Sequence, residues 1–334
     1  MENKVLITGA NGFIGSALVA AALGRGYEVW AGVRATSSLA RLPVDRIHCI
    51  DLKYNDPETL KEQIAAHVCK HGAWDYVIHN AGLTKTLRRA HFFEINAEYT
   101  HRLLDALSQT GCKPKKILLM SSLSVYGGGD ARTFRPVRLD DPQRPESIYG
   151  KSKLLAEKYL CQQDRIPYVI LRPTGVYGPG DKDYLMEIRS IRAGFDFAAG
   201  MKPQFLTFIY INDLAEVAFR ALEIESVQNR AFFVADGDVY TDEQFARLIQ
   251  EILGKKHVMR LRLPLWAVYV SCLCSELFGR ITGRAMTLNT DKYKILKQCN
   301  WICDTAPLSA ELAFKPAFDL RRGLQETIQA ELSK

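Results

Sequence analysis

The sequence has few of the features that mark specialised classes of protein. Its eight cysteines are scattered over 334 residues, with no Cys-x-x-Cys pair and no cysteine and histidine cluster at zinc spacing. The formal net charge is only +7, and no run of basic residues reaches five. This charge does not indicate nucleic-acid binding. We therefore expect a globular protein with free thiols that binds neither a metal ion nor nucleic acid.

A long apolar segment is also missing. The most apolar stretch, Leu263–Phe278, falls short of the roughly 20 apolar residues that a membrane span requires, so no stable insertion is expected. Two interpretations remain: a helix packed on a substrate-binding domain, or a lid or membrane-surface helix suited to a lipophilic substrate. The first residues enter an apolar strand at once, which predicts no signal peptide and a cytoplasmic location.

Short apolar runs alternate with helical patterns over the first 175 residues. The predicted strands, rich in Val, Ile and Leu, are Lys4–Thr8, Tyr27–Val33, Arg46–Ile50, Asp75–His79, Lys116–Ser121 and Tyr168–Arg172. The predicted helices are Gly12–Arg25, Asp56–Lys70, Arg89–Thr110 and Ser147–Cys161. This alternation predicts an α/β fold, with a Rossmann-type doubly wound parallel sheet covered by helices on both faces.

The regular alternation ends after residue 173. Glycine and proline predict a loop at Thr174–Asp181. Phe208–Ala221 is typical of a short strand that runs into a helix, and Arg230–Val234 of one more strand. From Thr241 onward the pattern is mostly helical, apart from a predicted strand at His257–Leu263.

Two structural domains follow from these patterns. Residues 1–175 are expected to form a dinucleotide-binding domain, to which residues 208–235 return. Residues 176–207 and 236–334 are expected to form a smaller, mostly helical substrate-binding domain.

The first strand leads into a glycine-rich turn. Thr8 ends the strand, and Gly9, Gly12 and Gly15 follow at the spacing G-x-x-G-x-x-G where a helix opens. Glycine permits the tight turn, the close approach of the backbone to a pyrophosphate and the packing of helix on sheet. The helix N-terminus presents free N–H groups to the phosphates. The turn therefore predicts a bound dinucleotide.

The end of the second predicted strand bears on which nicotinamide cofactor is preferred. NAD-binding sheets carry an acidic residue about 20 positions beyond the turn, where it binds the ribose 2′-hydroxyl. No carboxylate occurs between Glu28 and Asp45, whereas Arg34 directly follows the strand and several hydroxyl residues come next. A guanidinium suits a 2′-phosphate, so NADP is favoured over NAD.

A tyrosine and a lysine lie four residues apart on a predicted helix. Tyr149 and Lys153 would share one helix face, and a cation beside the phenol should lower its pKa from about 10 towards the range of a general acid or base. Hydroxyl residues follow the fifth strand, and Ser122 is the candidate to bind the substrate oxygen. Ser121 and Ser124 are alternatives that the sequence leaves open.

Taken together, these segments resemble the extended short-chain dehydrogenase/reductase family, which includes nucleotide-sugar epimerases and dehydratases. The similarity covers nearly the whole chain. It rests on segments that begin at Thr8, Asp51, His79, Ser121, Tyr149, Arg172, Tyr210 and Phe314. The resemblance implies a catalytic triad of Ser122, Tyr149 and Lys153.

The resemblance also implies cofactor contacts. Asp51 and Leu52 would contact the adenine, Ala81 and Gly82 would line the cofactor near its ribose, and Pro173 would approach the nicotinamide. The complete set of candidate cofactor-binding residues is Gly9, Asn11, Gly12, Phe13, Ile14, Gly15, Arg34, Asp51, Leu52, Ala81, Gly82, Ser121, Tyr149, Lys153, Pro173 and Thr174. Family members are often homodimers, and the predicted helices Arg89–Thr110 and Ser147–Cys161 would form the interface.

The residues after Ser122 bear on the reaction. Dehydratases of the family carry an acidic pair there, whereas this chain has Leu123 and Ser124, so dehydration is not expected.

Arg34 and the apolar segment 263–278 are more similar to the dihydroflavonol-4-reductase-like and 3β-hydroxysteroid dehydrogenase-like branch. The leading prediction is an NADP-preferring oxidoreductase for a secondary alcohol and its ketone. The alternatives are a nucleotide-sugar 4-epimerase with retained NAD and a non-catalytic NADP-sensing regulator.

Overall fold

The computed structural model describes residues 3–333. The strands, in chain order, are β1 (Lys4–Thr8), β2 (Glu28–Gly32), β3 (His48–Ile50), β4 (Tyr76–His79), β5 (Lys116–Met120), β6 (Tyr168–Pro173), β7 (Gly175–Tyr177), β8 (Phe195–Ala199), β9 (Phe205–Leu206), β10 (Phe208–Tyr210), β11 (Arg230–Val234), β12 (Tyr240–Thr241) and β13 (Met259–Leu263). The helices are α1 (Phe13–Gly24), α2 (Pro57–His71), α3 (Ala90–Phe93), α4 (Tyr99–Gln109), α5 (Ile148–Gln162), α6 (Asp183–Arg192), α7 (Ile211–Glu223), α8 (Asp242–Ile252), α9 (Leu265–Thr282), α10 (Thr290–Leu296), α11 (Ala306–Leu312) and α12 (Leu320–Leu332).

Seven parallel strands form the central sheet in the order β11-β6-β5-β4-β1-β2-β3. The order reverses between β1 and β4, which is the point where doubly wound sheets bind their ligands. Each of the six strands predicted in the first 175 residues belongs to this sheet, and β11 adds the edge beyond β6. The prediction of a Rossmann-type parallel sheet is therefore confirmed.

The inner strands of the sheet are buried on both faces, which explains why their central residues are continuous apolar runs. In β1, Ile7 packs with residues of α1 and α7 on one face, and Leu6 packs with residues of α2, α4 and α5 on the other. Both side chains are fully buried. A strand that alternated apolar and polar residues could not lie between two helical layers without burying polar groups.

Small sheets and helices fill the C-terminal part of the chain. β7 pairs in parallel with β10, and β8 pairs in parallel with β13. The loop prediction for Thr174–Asp181 was wrong at β7. Gly175 lies so close to β10 that an added Cβ would be 2.9 Å from the Phe208 ring, so this glycine serves strand packing rather than a turn.

The helix predicted over Arg89–Thr110 is also interrupted. A π-helical turn at Glu94–Glu98 separates α3 from α4. It includes Asn96, which is buried and hydrogen-bonds both backbone groups of Leu83, at 2.7 and 3.1 Å. Hydrophobic periodicity does not detect a turn of this kind. No helix among residues 3–333 is long and apolar enough to cross a membrane.

Candidate active site

The glycine-rich turn is folded as the sequence predicts. Gly9 adopts a φ of +64°, and a Cβ at this position would be 2.9 Å from the Ala81 backbone. A Cβ on Gly15 would overlap the carbonyl oxygen of Gly9. Helix α1 begins directly after Gly12, with no side-chain cap and no acidic residue in its first turn. This cradle fits a dinucleotide phosphate, because the positive N-terminal end of α1 carries no side-chain cap and no acidic residue that would compete with an anion.

The residues that follow β2 lie next to this turn. The Asn11 side-chain amide donates to the carbonyl of Ser38 at 3.4 Å, so the segment carrying Arg34 folds back towards the cradle. Arg34 is exposed and lies near Tyr99, whose phenol it influences electrostatically. An exposed guanidinium near the cradle is suited to an anionic ligand.

The carboxyl ends of the central strands converge at one edge of the sheet. Four candidate segments lie there: the turn at Gly9 after β1, Ala81 and Gly82 after β4, Ser121 and Ser122 after β5, and Pro173 and Thr174 at the end of β6. Thr174 donates its hydroxyl to the carbonyl of Val234 at 3.3 Å. Asp51 and Leu52 follow β3, where Lys53 pairs with the Asp51 carboxylate at 2.5 Å.

The two serines after β5 have different environments. The Ser121 hydroxyl is buried and donates to Glu157 at 2.5 Å, so it is not available to a ligand. The half-buried Ser122 hydroxyl accepts from the backbone N–H of Ser124 at 3.2 Å and also contacts Tyr149. Of the two alternatives left open by the sequence, Ser121 keeps only its backbone for cofactor contact, and the Ser124 hydroxyl accepts from Ser122 at 3.2 Å. The contact with Tyr149 is made by Ser122, so the geometry favours Ser122.

Tyr149 and Lys153 occupy one face of α5. Burial raises the pKa of Tyr149 to about 12, and a hydrogen bond with Ser122 opposes this rise. The sequence analysis expected a lowered pKa for this phenol, and that expectation was wrong for the protein without cofactor. Burial raises the pKa by more than the hydrogen bond with Ser122 lowers it. Burial also lowers the pKa of Lys153 to about 8, and the nearby Glu157 carboxylate opposes that change.

Lys153 is held by the end of β5. Its Nζ donates to the carbonyl of Met120 at 2.8 Å. A Cβ on Gly82 would be 3.1 Å from Nζ and 3.0 Å from the Asn96 side-chain oxygen. The lysine therefore lies beneath the Gly82 backbone, within the cleft formed by β4 and β5.

A buried ion pair that the sequence analysis missed lies behind the site. Glu157 and Arg172 form a two-point contact, with Nε at 3.0 Å and Nη2 at 2.8 Å from the carboxylate oxygens. Both side chains are less than one-tenth exposed. Since Glu157 also accepts from Ser121, the pair fixes the end of β5 against α5. The i+4 spacing of Lys153 and Glu157 places both on one face of α5, but it gives no indication of the contact with Arg172.

Asp291 on α10 is a second residue that the sequence analysis missed. Its carboxylate accepts from the backbone N–H of Ile148 at 2.7 Å and of Tyr149 at 3.2 Å. The Ser147 hydroxyl accepts from Gly150 at 3.0 Å. Together they satisfy the first N–H groups of α5, which a helix leaves without internal partners. Only the fold brings Asp291 to a helix that lies more than 100 residues earlier in the chain.

No group of three or more His, Cys, Asp and Glu side chains that could hold a metal ion occurs within residues 3–333. The site itself brings together a hydroxyl, a phenol and an ammonium beside the glycine-rich turn. Such a set can bind an oxygen atom and exchange a proton with it.

Comparison with known proteins agrees with this geometry. The model of the NAD-dependent epimerase/dehydratase family matches residues 5–235. The chain is 27% identical to a UDP-glucose 4-epimerase of Vibrio cholerae, over 99% of this chain and 96% of the relative. It is 28% identical to a 3-beta-hydroxysteroid dehydrogenase of Mycolicibacterium neoaurum, over 76% of this chain and 71% of the relative.

A solved enzyme of Bordetella bronchiseptica in complex with NAD has the same fold. It superposes with a TM-score of 0.77 at 20% identity, covering 100% of this chain and 95% of that one. At this identity the likeness supports the fold alone.

Proposed function

The chain belongs to the NAD-dependent epimerase/dehydratase family, and from this premise we propose that it transfers a hydride between a nicotinamide cofactor and a secondary alcohol or its ketone. The observation that carries the proposal is the cluster of Ser122, Tyr149 and Lys153 at the carboxyl end of β5, beside the glycine cradle. The family assignment makes the protein an enzyme; the reaction and the roles of these residues are our proposal.

The cofactor supplies the hydride acceptor or donor, and the protein supplies binding, orientation and proton transfer. Ser122 donates a hydrogen bond to the substrate oxygen and stabilises the negative charge that develops there. Tyr149 gives its proton to that oxygen during reduction and removes one during oxidation. A phenol with a pKa of about 12 is protonated at neutral pH, which suits the reductive direction. Lys153 places a positive charge in the same cleft and stabilises the phenolate.

We propose NADP as the preferred cofactor. The support is Arg34, exposed beside the cradle, together with the absence of any carboxylate between Glu28 and Asp45. Arg34→Ala should raise the KM for NADPH about ten-fold and leave the KM for NADH unchanged. Arg46→Ala, at another exposed arginine, is the matched control. A wild-type enzyme that prefers NADH would contradict this assignment.

Dehydration is not part of the proposal. Leu123 is buried and Ser124 carries a hydroxyl, so the two positions after Ser122 offer no ionisable group for an elimination. The substrate-derived proton transfers are therefore assigned to Tyr149 alone.

The second candidate is a nucleotide-sugar 4-epimerase that retains NAD. The similarity to the UDP-glucose 4-epimerase favours it, since that similarity extends over 99% of this chain and includes the C-terminal part. Epimerisation uses the same phenol and requires only that the keto intermediate turns within the pocket. A regulator that binds NADP without turnover is a third candidate, which an intact proton-transfer cluster disfavours.

One experiment separates these candidates. One sample of the purified protein is denatured and tested for released NAD, and a second, native sample is given a panel of ketones and UDP-sugars with NADPH or NADH. An oxidoreductase consumes reduced cofactor in proportion to the carbonyl substrate. An epimerase releases NAD and converts UDP-galactose to UDP-glucose with no net change at 340 nm. Cofactor binding without either reaction would contradict the proposal.

A further inference from the structure

The strands β8 and β13 expose apolar side chains and turn charged ones inward. Phe195 and Phe197 on β8 are 42% and 54% exposed, and their register partners Met259 and Leu261 on β13 are 58% and 37% exposed. The alternate residues of both strands face the protein. In an ordinary two-sided sheet the apolar side chains face the core and the polar ones face water, whereas here the apolar side chains face outward.

The inward side of the same two strands is occupied by ion pairs. Arg260 contacts Asp196 at 3.0 Å and Asp242 at 2.6 Å, and Arg262 contacts Asp242 at 3.2 Å. These pairs hold the strands in their register with the apolar side chains outward. The exposed apolar face is therefore built into the fold.

Helix α9 continues this face. It follows β13 after Pro264, and Leu265 at its start lies against Gly200 at the end of β8, where a Cβ would be 3.4 Å away. The residues of α9 that face the protein are small or medium in size, namely Val268, Cys272 and Gly279. Its exposed residues are larger and recur at helical spacing: Trp266, Tyr269, Val270, Leu273, Leu277, Phe278 and Ile281.

Basic side chains border this surface. Lys202 follows the exposed Met201, and Arg280 and Arg284 lie at the C-terminal end of α9; all three are exposed. Between Met259 and Asn289 the chain has a single carboxylate, Glu276, which is hydrogen-bonded to Arg280 and Thr290. The border therefore has a positive charge, which complements an anionic surface.

We propose that this surface, made of the outer side chains of β8, β13 and α9, docks the protein on an anionic phospholipid bilayer. An apolar face this large, with aromatic residues and a basic border, is typical of helices that lie in the membrane interface. Trp266, which is 71% exposed at the start of α9, is the type of side chain found at that depth. Helix α9 lies parallel to the bilayer and does not cross it.

Docking would bring the active site close to the lipid. A cleft is lined by Glu276 and Arg280, which lie in the C-terminal half of α9, and by Phe92 and Asp291. The Phe92 ring lies 6.3 Å from the Tyr149 ring. The cleft next to α5 therefore lies beside the docking surface, on the same side of the protein as Tyr149. The docking itself does not depend on which reaction the site catalyses.

The test is sedimentation of the full-length protein with vesicles of phosphatidylcholine, with or without one-quarter phosphatidylglycerol. Binding is expected with the anionic vesicles, together with a blue shift of tryptophan emission that Trp266→Phe removes. Leu273→Glu/Phe278→Glu should reduce binding at least ten-fold. The control Val44→Glu/Leu332→Glu, at exposed apolar residues elsewhere, should leave it unchanged. Lys202→Gln/Arg284→Gln should weaken binding roughly 25-fold, since each basic residue contributes roughly five-fold at an anionic surface.

Other occupants of the surface predict different results. If a second copy covers it, wild-type protein will not bind vesicles, and Leu273→Glu/Phe278→Glu will halve the number of copies in the assembly, as measured by sedimentation velocity. That result would overturn the proposal, as would a folded wild-type protein that binds no vesicle. Equal binding to neutral and anionic vesicles would also overturn it, because the basic border would then have no role.

Discussion

Asp291 connects the C-terminal part of the chain to α5, the helix that carries Tyr149 and Lys153. Its carboxylate accepts hydrogen bonds from the backbone N–H groups of Ile148 and Tyr149, in the first turn of α5. The same negative charge lies at the positive end of that helix. Asp291→Ala removes both contacts, and we expect it to loosen the backbone that carries the Tyr149 phenol.

The size of the effect follows from burial. The Asp291 side chain is only 13% exposed, so water can replace the lost contacts poorly. A hydrogen bond to a charged group contributes about 1.5–3 kcal/mol to stability. The bond from the Tyr149 N–H is the longer of the two and should contribute less, so the total loss of stability is about 2–3 kcal/mol. With an unfolding entropy of about 2.1 cal/mol/K per residue, 334 residues correspond to about 0.7 kcal/mol/K, so Tm should fall by about 3–4 °C.

Activity should fall by more than stability explains. If the displaced Tyr149 phenol raises the activation free energy by about 1.4 kcal/mol, kcat falls about ten-fold. The affinity of the Asp291→Ala variant for the cofactor should stay unchanged. Asp291→Asn, which keeps one acceptor oxygen, should lie between wild type and Asp291→Ala. The measurements are a thermal melt and steady-state kinetics with cofactor and substrate varied separately.

A matched control distinguishes positioning from simple destabilisation. Asp319 caps α12 by accepting from the backbone N–H of Arg322 at 2.7 Å, and it has no contact with α5 among those described for residues 3–333. Asp319→Ala should lower Tm and leave kcat unchanged. If Asp291→Ala keeps the wild-type kcat, the positioning role is refuted. If Asp319→Ala lowers kcat equally, the effect is general loss of stability.

Three further predictions concern the fold that supports the site. Glu157→Gln should destabilise the protein by about 3–5 kcal/mol because it leaves the Arg172 charge buried, whereas Glu311→Gln, in an exposed pair, should cost less than about 1 kcal/mol in chemical unfolding. Gly15→Ala should weaken NADPH binding at least ten-fold by fluorescence titration, because its Cβ overlaps Gly9; Gly24→Ala, with no atom within 4 Å, should not. Burial lowers the pKa of His79 to about 3 in the folded protein. As the pH falls, His79 is therefore protonated in the unfolded chain before it is protonated in the folded protein. Below about pH 6.5, His79 alone should therefore lower the unfolding free energy by up to about 1.4 kcal/mol per pH unit, and His79→Gln should remove this contribution to the slope.

The sequence predicted the central sheet well because its inner strands are buried on both faces. A run such as Val5–Ile7 must be apolar throughout, and that pattern is local. The glycine turn was predictable for the same reason, since strand, turn and helix are contiguous. The strand β7 has only three residues, too few to show the alternation of apolar and polar side chains that indicates a strand. Its first residue, Gly175, is of a type that also indicates a turn.

Residues that act across the chain could not be predicted in this way. Asp291 reaches α5 only after folding, and Arg172 finds Glu157 across the junction of a strand and a helix. The pKa of Tyr149 depends on burial, which the spacing of Tyr149 and Lys153 does not report. The strand β13 was predicted from its alternation, but the alternation could not show that its apolar side faces outward.

The central claim is that Tyr149 exchanges the proton with the substrate oxygen. Tyr149→Phe keeps the ring and removes the hydroxyl, so it tests this role with little change in packing. We predict a loss of turnover of at least 1000-fold on whichever substrate the panel identifies, with NADPH affinity by fluorescence titration within about two-fold of wild type. A Tyr149→Phe variant with a near-normal rate would contradict the account.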